Sequence, residues 1–194
     1  MASASPRRRD LLGRLGLPFT VRPSHIPEPV LPGPPESAVM ALALAKARVV
    51  ALEVAPGPAL VLGADTEVVL DGRLLGKPRD AAHAVEMLEM LRGRVHEVIT
   101  GLAVVDAATG REEAQSVTSR VRMGDYSAAA IEAYVATGEP FDKAGGYAVQ
   151  GEGGRLVREV EGCFTNVVGL PVEATRRLLA RWGLESPAPR PSAS

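Results

Sequence analysis

Hydrophobic residues recur along this chain with two different periods. In four segments they return every three or four positions, which predicts helices at 35–50, 81–91, 127–135 and 172–182. Two further segments are mainly apolar and a third alternates apolar with polar residues, which predicts strands at 59–62, 96–105 and 116–123. The predicted strands and helices are interspersed through the chain.

The strand at 59–62 leads directly to a candidate functional residue. It ends in Gly63-Ala64-Asp65-Thr66, so we expect Asp65 to lie at the C-terminal end of a buried strand. In open α/β sheets that end faces the ligand crevice. A carboxylate there can bind a divalent metal or orient a water molecule. An aspartate that only caps a turn is the alternative that this segment leaves open.

The start of the chain has the pattern of a helix N-terminus that binds an anion. Ser5 is a typical N-cap and Pro6 a typical first helical residue, which predicts a short helix from residue 6. Arg7 and Arg8 then oppose the helix macrodipole, an arrangement that becomes favourable when an anion binds. Ser3 is small and polar, so the backbone there can approach a ligand closely. A solvated basic surface is the alternative.

Three lysines add candidate cations elsewhere. Lys46 lies near the apolar face of the helix at 35–50, where a lysine more often extends its ammonium group to solvent. Lys77 follows Leu75-Gly76 but does not belong to a P-loop, because that motif requires Ser or Thr where Pro78 stands. Lys77 can still hold a phosphate as a point charge. Lys143 lies in a glycine-rich loop.

The glycine-rich loop at 138–154 interleaves charged and amide side chains with glycines. Glu139, Asp142, Lys143 and Gln150 all lie in it, which indicates a backbone that approaches a polar ligand. Gln150 can read the edge of a nucleobase, because its amide both donates and accepts hydrogen bonds. Many glycine-rich loops are only flexible turns, and that interpretation is the alternative.

Composition excludes several classes of function. The formal net charge of −1 provides no overall attraction to nucleic acid or to membranes, so anion binding must come from local clusters. Aromatic residues make up 4% of the chain, too few for a platform on which single-stranded bases stack. We find no signal peptide and no apolar run long enough to cross a membrane. A single cysteine, Cys163, excludes an intrachain disulfide and fits a cytoplasmic protein.

The candidate residues fall into two complementary sets. The cations are Arg7, Arg8, Lys46, Lys77 and Lys143, and the carboxylates are Glu28, Asp65, Glu139 and Asp142. A polyphosphate ester that binds through a divalent metal needs both sets. Cations neutralise the phosphate oxygens, while carboxylates hold the metal and activate water. Spacing along the sequence does not show whether these residues converge.

Five collinear motifs of this chain resemble those of the Maf family. They are SASPRRRDLL at 3–12, LALAKA at 42–47, LGADTEVVLDGRLLGKP at 62–78, TGEPFDKAGGYAVQG at 137–151 and TNVVGLP at 165–171. Maf proteins are nucleoside triphosphate pyrophosphatases, once named as septum-formation inhibitors. The resemblance implies an α/β fold like that of the inosine triphosphate pyrophosphatases, with an elongated mixed β-sheet, flanking helices and two lobes around a cleft. It implies a domain at 1–184, and we expect a disordered tail rich in Pro, Ser and Ala at 185–194.

The resemblance also implies roles for residues. Asp65 resembles the general base of the family and, with Glu28, a ligand of Mg²⁺ or Mn²⁺. The other expected catalytic residues are Glu28, Lys46, Lys77 and Arg8, and the expected phosphate-binding or substrate-binding residues are Ser3, Ser5, Arg7, Arg8 and Lys143. The implied reaction converts a nucleoside triphosphate to the monophosphate and pyrophosphate, in nucleotide-pool sanitation or cell-division arrest.

Three positions resemble the subfamily that acts on dTTP and UTP. They are Arg7, Thr66 and Gln150, where the 7-methyl-GTP type typically carries Trp, Gln and Glu. We therefore expect dTTP and UTP as substrates, and modified pyrimidine nucleotides as a further possibility. The alternatives are a 7-methyl-GTP-type pyrophosphatase and a nucleotide-binding division regulator with little turnover. A homodimer and a cell-division partner are expected from the family, and a nucleic acid polymer is not.

The sequence departs from the family pattern at three positions. Relatives usually carry several apolar residues of a first strand before the Ala-Ser pair, and Met1 stands almost at that point. Pro27 takes a usually acidic position beside Glu28. Glu67 replaces a usually apolar residue immediately after Asp65-Thr66. The first departure indicates either a shortened first strand or a start assigned too late. Pro27 predicts altered placement of metal or water, and the departures together predict reduced activity.

Overall fold

The computed structural model describes residues 1–29 and 31–185, so most of the expected tail lies outside the described residues. The helices are α1 Pro6–Gly13, α2 Pro35–Val54, α3 Ala81–Leu91, α4 Ala128–Ala136, α5 Phe164–Val168 and α6 Val172–Arg181. The strands are β1 Leu60–Leu70, β2 Arg73–Leu74, β3 Val95–Asp106, β4 Glu112–Met123 and β5 Val157–Glu161. Three short 3₁₀ turns at Glu139–Asp142, Ala144–Gly146 and Glu152–Leu156 occupy the glycine-rich loop. None of the described helices is long and apolar enough to span a membrane.

The five strands form one sheet in the order β2-β1-β3-β4-β5. Helices flank this sheet, which confirms the α/β class. Strand direction differs from the expected mixed sheet, because every pairing between these described strands is antiparallel. Short connections explain the difference: Asp71 and Gly72 join β1 to β2 with positive φ at both residues, and five residues join β3 to β4. Such tight turns can join only antiparallel neighbours.

Two hydrophobic cores lie along one face of the long strands. One core contains Leu62 and Leu102 together with α1 and α6 residues such as Leu11 and Leu178. The other contains Val68 and Leu70 of β1, Val98, and residues of α3 and α4. Between the cores the strands carry polar and small residues, including Thr66 and Thr100. The long sheet therefore joins two lobes, and the polar middle of each strand lies between them.

Helix α2 packs closely on the other face of the sheet because two strand glycines leave room for it. A Cβ atom at Gly63 would overlap the carbonyl oxygen of Ala43, and one at Gly101 would overlap that of Val39. This close packing brings Lys46 of α2 against β1. Lys46 is buried, so the expectation of a lysine that extends to solvent is wrong.

One edge of β1 is open in its middle. Ala2 N donates to Leu62 O at 2.8 Å, and Leu75 N donates to Val68 O at 2.7 Å. The segment between these two bonds lines the cleft. Asp65 lies there, in the middle of the 11-residue strand, so its expected position at a strand C-terminus is wrong. The cleft opens beside a strand edge, where β2 is too short to cover β1.

Candidate active site

The structure has a cleft of about 360 Å³ between the two lobes. Every residue to which the resemblance assigns a role lines this cleft except Ser3. These lining residues are Ser5, Arg7, Arg8, Glu28, Lys46, Asp65, Thr66, Lys77, Lys143 and Gln150. Ser3 is buried beside it, and its Oγ accepts from Ser5 N at 3.3 Å and from Arg8 Nη1 at 3.5 Å.

A buried lysine joins the two central carboxylates. Lys46 Nζ lies 2.7 Å from Asp65 Oδ1 and 2.5 Å from Glu28 Oε1. Lys77 Nζ lies 3.8 Å from the other Glu28 oxygen, Oε2. Burial would raise the pKa of Glu28, but the hydrogen bond and charge of Lys46, with Lys77 and Arg8, leave it below its ordinary value. Glu28 is therefore held as a carboxylate.

Two carboxylate oxygens in the cleft are buried without a hydrogen-bond partner among the described residues. They are Oδ2 of Asp65 and Oε2 of Glu67. Within residues 1–29 and 31–185, no group of three or more His, Cys, Asp or Glu side chains is arranged to hold a metal ion. Mg²⁺ commonly binds through one or two protein carboxylates and completes its shell with substrate phosphates and water. The residues present fit a metal of that kind.

Arg8 is held by the protein itself. Its Nε donates to Gly169 O, its Nη1 to Ala64 O and its Nη2 to Thr66 Oγ1, each at 2.9 Å. The helix begins there because Ser5 Oγ accepts from Arg8 N at 3.4 Å, as the sequence predicts. Arg8 therefore connects α1, β1 and the loop before α6, and most of its donors are already used.

The hydroxyl of Thr66 is also engaged. Its Oγ1 accepts from Arg8 and lies 2.9 Å from Thr100 Oγ1. It is 3.3 Å from the carbonyl oxygen of Gly169, to which it can donate. Thr66 lines the cleft while its hydroxyl is held in this network. A substitution of Thr66 would therefore also displace Arg8.

The glycine-rich loop meets α1 across the mouth of the cleft. Arg7 Nη2 lies 3.9 Å from Asp142 Oδ2, and both side chains remain accessible to solvent. Lys143 Nζ lies 2.5 Å from Asp142 Oδ1 and donates to Glu139 O at 2.6 Å. Gln150 is exposed in the cleft, so a ligand can reach its amide.

Glu139 does not join the other carboxylates, in contrast to its placement in the predicted constellation. Its carboxylate accepts from Tyr134 OH and from the backbone N–H groups of Glu152 and Gly153, each at 3.2 Å. It lies outside the set of cleft-lining residues. Glu139 therefore fixes the shape of the glycine-rich loop.

Sequence reasoning did not assign Glu67 or Tyr147 to the site. Glu67 lines the cleft, and burial raises its pKa to about 7, with the negative charges of Asp65 and Glu28 adding to the effect. The period of two along β1 could have indicated it, because residues 65 and 67 share a face. Tyr147 lines the cleft and its hydroxyl lies 2.7 Å from Nε2 of the buried His96, a contact that spacing does not reveal.

Comparison with known proteins agrees with the motifs. A family model described as Maf-like protein matches residues 1–182. The dTTP/UTP pyrophosphatase of Moorella thermoacetica is 54% identical, with 95% of each chain covered. The dTTP/UTP pyrophosphatase of Anaeromyxobacter dehalogenans strain 2CP-C is 50% identical over 98% of this chain and 97% of the relative. The dTTP/UTP pyrophosphatase of Exiguobacterium sibiricum is 45% identical over 95% of this chain and 92% of the relative. The chain belongs to the Maf family.

Proposed function

We propose that this protein hydrolyses dTTP and UTP to the nucleoside monophosphate and pyrophosphate. The observation that carries the proposal is the buried Oδ2 of Asp65, which has no hydrogen-bond partner within residues 1–29 and 31–185 and lies in a cleft that also contains Arg7, Lys46 and Lys77. A free carboxylate oxygen beside several cations suits the attack of water on a polyanion. The names of the similar relatives support the choice of substrate.

Asp65 positions the attacking water in the proposed mechanism. Lys46 fixes the Asp65 side chain through Oδ1, which leaves Oδ2 to accept a proton from water. The water oxygen bonds to the α-phosphorus as the bond from that phosphorus to the oxygen bridging to the β-phosphate breaks. Pyrophosphate leaves with the electron pair of that bond. The cations of the cleft would stabilise the negative charge that develops on the phosphate oxygens, and electrostatic stabilisation of this kind is usually the largest single contribution to catalysis.

Arg7 and Lys77 are the cations best placed to bind phosphate. The Lys77 side chain is 58% exposed and its contact with Glu28 is long, at 3.8 Å, so it can turn to a ligand. Among the described residues, the one ion-pair contact of Arg7 is with Asp142, at 3.9 Å. Arg8 and Lys46 are held by protein groups and contribute charge and positioning. Lys143 can reach a phosphate if it releases Asp142.

A divalent cation is part of the proposal. The resemblance implies Asp65 and Glu28 as the residues that would hold Mg²⁺ or Mn²⁺, which would supply Lewis-acid stabilisation of phosphate charge. Lys46 already neutralises the facing oxygens of these two side chains. The protein therefore offers few free ligand atoms, and the triphosphate itself would provide others.

Gln150 is proposed to read the pyrimidine base. An amide can donate to O4 and accept from N3–H of uracil or thymine at the same time. Arg7 and Thr66 are the accompanying specificity residues, as the resemblance implies. Thr66 would act through the position of Arg8, because its hydroxyl is already engaged.

Pyrophosphate release from a panel of nucleoside triphosphates tests the proposal. The panel contains dTTP, UTP, CTP, modified pyrimidine nucleotides and 7-methyl-GTP, with Mg²⁺ or Mn²⁺. We expect release from dTTP and UTP that falls at least about 100-fold in Asp65→Asn, the scale of a lost general base. Release confined to 7-methyl-GTP would contradict the substrate assignment. Nucleotide binding without any release would instead indicate a regulator.

The setting of the reaction is part of the same proposal. We propose one catalytic domain at 1–184 that acts on nucleotides in the cytoplasm. A homodimer and contact with a cell-division protein are proposed from the family resemblance alone. Light scattering during size-exclusion chromatography tests the dimer, and a monomer at micromolar concentration would contradict it.

A further inference from the structure

Glu67 is a cleft carboxylate beyond Asp65 and Glu28, the two that the resemblance implies as metal ligands. The family pattern has an apolar residue at this position, so the feature belongs to this chain. Glu67 lines the same cleft as Asp65, and its Oε2 is buried without a hydrogen-bond partner among the described residues. A buried carboxylate oxygen with no donor is unfavourable unless a bound cation, a donor or a proton satisfies it.

Lys46 limits what Asp65 and Glu28 can offer to a metal. Its ammonium group lies between Asp65 Oδ1 and Glu28 Oε1, at 2.7 Å and 2.5 Å. A divalent cation cannot occupy the same space. In the part of the chain that the structure describes, the carboxylate oxygens that remain both buried and free are Oδ2 of Asp65 and Oε2 of Glu67.

Strand geometry places these two carboxylates on one side of β1. Side chains two residues apart on a strand point to the same face, and their Cα atoms are about 6–7 Å apart. The carboxylates of an aspartate and a glutamate can close on one ion from such positions. Two carboxylates also match the usual number of protein ligands for Mg²⁺ that accompanies a phosphate substrate.

We propose that Glu67 is a metal ligand, which together with Asp65 holds the divalent cation that accompanies the triphosphate. The metal and its role rest on the proposed function; the choice of ligands rests on the two free oxygens. Asp65 Oδ2 has two lone pairs, so it can contact the cation and still accept a hydrogen bond from water. Glu28 then serves mainly to hold Lys46 and Lys77.

The competing use of Glu67 is an ion pair with a lysine. Lys46 is already committed to two carboxylates, whereas the accessible Lys77 could turn toward Glu67. That arrangement would need no metal at Glu67. Removal of Glu67 would then leave metal affinity unchanged, so a direct measurement of metal binding separates the two uses.

Mn²⁺ binding to the full chain without nucleotide tests the inference. Titration followed by electron paramagnetic resonance gives the Kd for wild type, Glu67→Gln, Glu28→Gln and Glu86→Gln. Loss of even an outer-shell partner typically costs about 10–100-fold in metal affinity, so Glu67→Gln should weaken binding at least about tenfold. We expect a smaller effect in Glu28→Gln. Glu86 is exposed on α3, and Glu86→Gln controls for the change in charge.

Two results would overturn the inference: Mn²⁺ affinity in Glu67→Gln within twofold of wild type, or no Mn²⁺ binding by the wild type. A thermal melt of each variant verifies folding, and Glu67→Val, which introduces an apolar residue, should repeat the loss. Pyrophosphate release is measured separately. If the wild type releases pyrophosphate but Glu67→Gln keeps its Mn²⁺ affinity, the inference is refuted and the proposed function stands. If the wild type releases no pyrophosphate but Glu67→Gln loses Mn²⁺ affinity, the proposed function is refuted and Glu67 remains a metal ligand.

Discussion

Lys46 Nζ lies 2.7 Å from Asp65 Oδ1, and both side chains are more than nine-tenths buried. The lysine extends from α2 and the aspartate from the middle of β1. Close packing of α2 at Gly63 and Gly101 makes the contact possible. The same pair orients one carboxylate oxygen toward the lysine and leaves the other free, so the stability of the site and its chemistry depend on one contact.

Lys46→Met should destabilise the fold and lower turnover. Without the ammonium group, Asp65 is a buried carboxylate with no cation beside it, and breaking a buried ion pair typically costs about 3–5 kcal/mol. Urea unfolding measures the loss. Adding Asp65→Asn to Lys46→Met should recover part of it, because the unpaired charge is removed.

Arg48→Met is the control for that experiment. Arg48 lies on the same helix and pairs with Glu112 on the surface, where an ion pair contributes at most about 1 kcal/mol. Equal destabilisation of Arg48→Met and Lys46→Met would contradict the importance of the buried contact.

His96 should make the fold less stable at low pH. Burial lowers its pKa to about 4, whereas the unfolded chain binds that proton near pH 6.5. Above pH 6.5 the imidazole is neutral in both the folded and the unfolded chain, so it does not affect the free energy of unfolding. That free energy falls as the pH is lowered from 6.5 to 4, because only the unfolded chain binds the proton in this range. The shift corresponds to a total loss of about 3 kcal/mol.

Comparison with His96→Gln isolates this effect from other titrating groups. Gln retains a polar group near Tyr147 OH but does not titrate. We expect the difference in unfolding free energy between the two proteins to change by about 3 kcal/mol between pH 7 and pH 4, in favour of the variant at low pH. Parallel pH profiles would refute the assignment of a neutral buried histidine.

Gly101→Ala should separate α2 from the sheet. The new Cβ atom would overlap the backbone of Val39, and overpacking of this kind typically costs about 1–3 kcal/mol. The displacement would also move Lys46 relative to Asp65, so turnover should fall. Thermal unfolding and pyrophosphate release measure the two effects. Gly13→Ala is the control, because nothing lies within 4 Å of a Cβ atom there; similar melting temperatures for both variants would count against the packing argument.

Local signals predicted most elements of the fold. Side-chain caps at Ser5, Asp80 and Ser127 mark the starts of α1, α3 and α4, as the sequence indicates. Strand β5 was not predicted, since its sequence VREVE is short and mostly charged, as suits an edge strand. Helix α5, also short at five residues, was missed.

The site was harder to predict, because its residues converge through tertiary structure. Gly63 suggested a strand end before Asp65, whereas its role is to admit α2, and the strand continues to Leu70. The motifs identified the cleft residues by resemblance. Nothing in the spacing indicated that Glu139 would bind backbone N–H groups in its own loop instead of facing the cleft.

Gln150→Glu should change which pyrimidine the enzyme prefers. The carboxylate cannot donate to O4 of thymine or uracil, but it can accept from the N4 amino group of cytosine. We expect kcat/KM for dTTP to fall about 10- to 100-fold relative to that for CTP, equivalent to about 1.4–2.7 kcal/mol. The ratio of the two substrates is the useful measure, because the added negative charge repels both triphosphates alike. An unchanged ratio of kcat/KM for dTTP to that for CTP would show that Gln150 does not recognise the base. That result would not affect the role proposed for Asp65 in the attack on the phosphate.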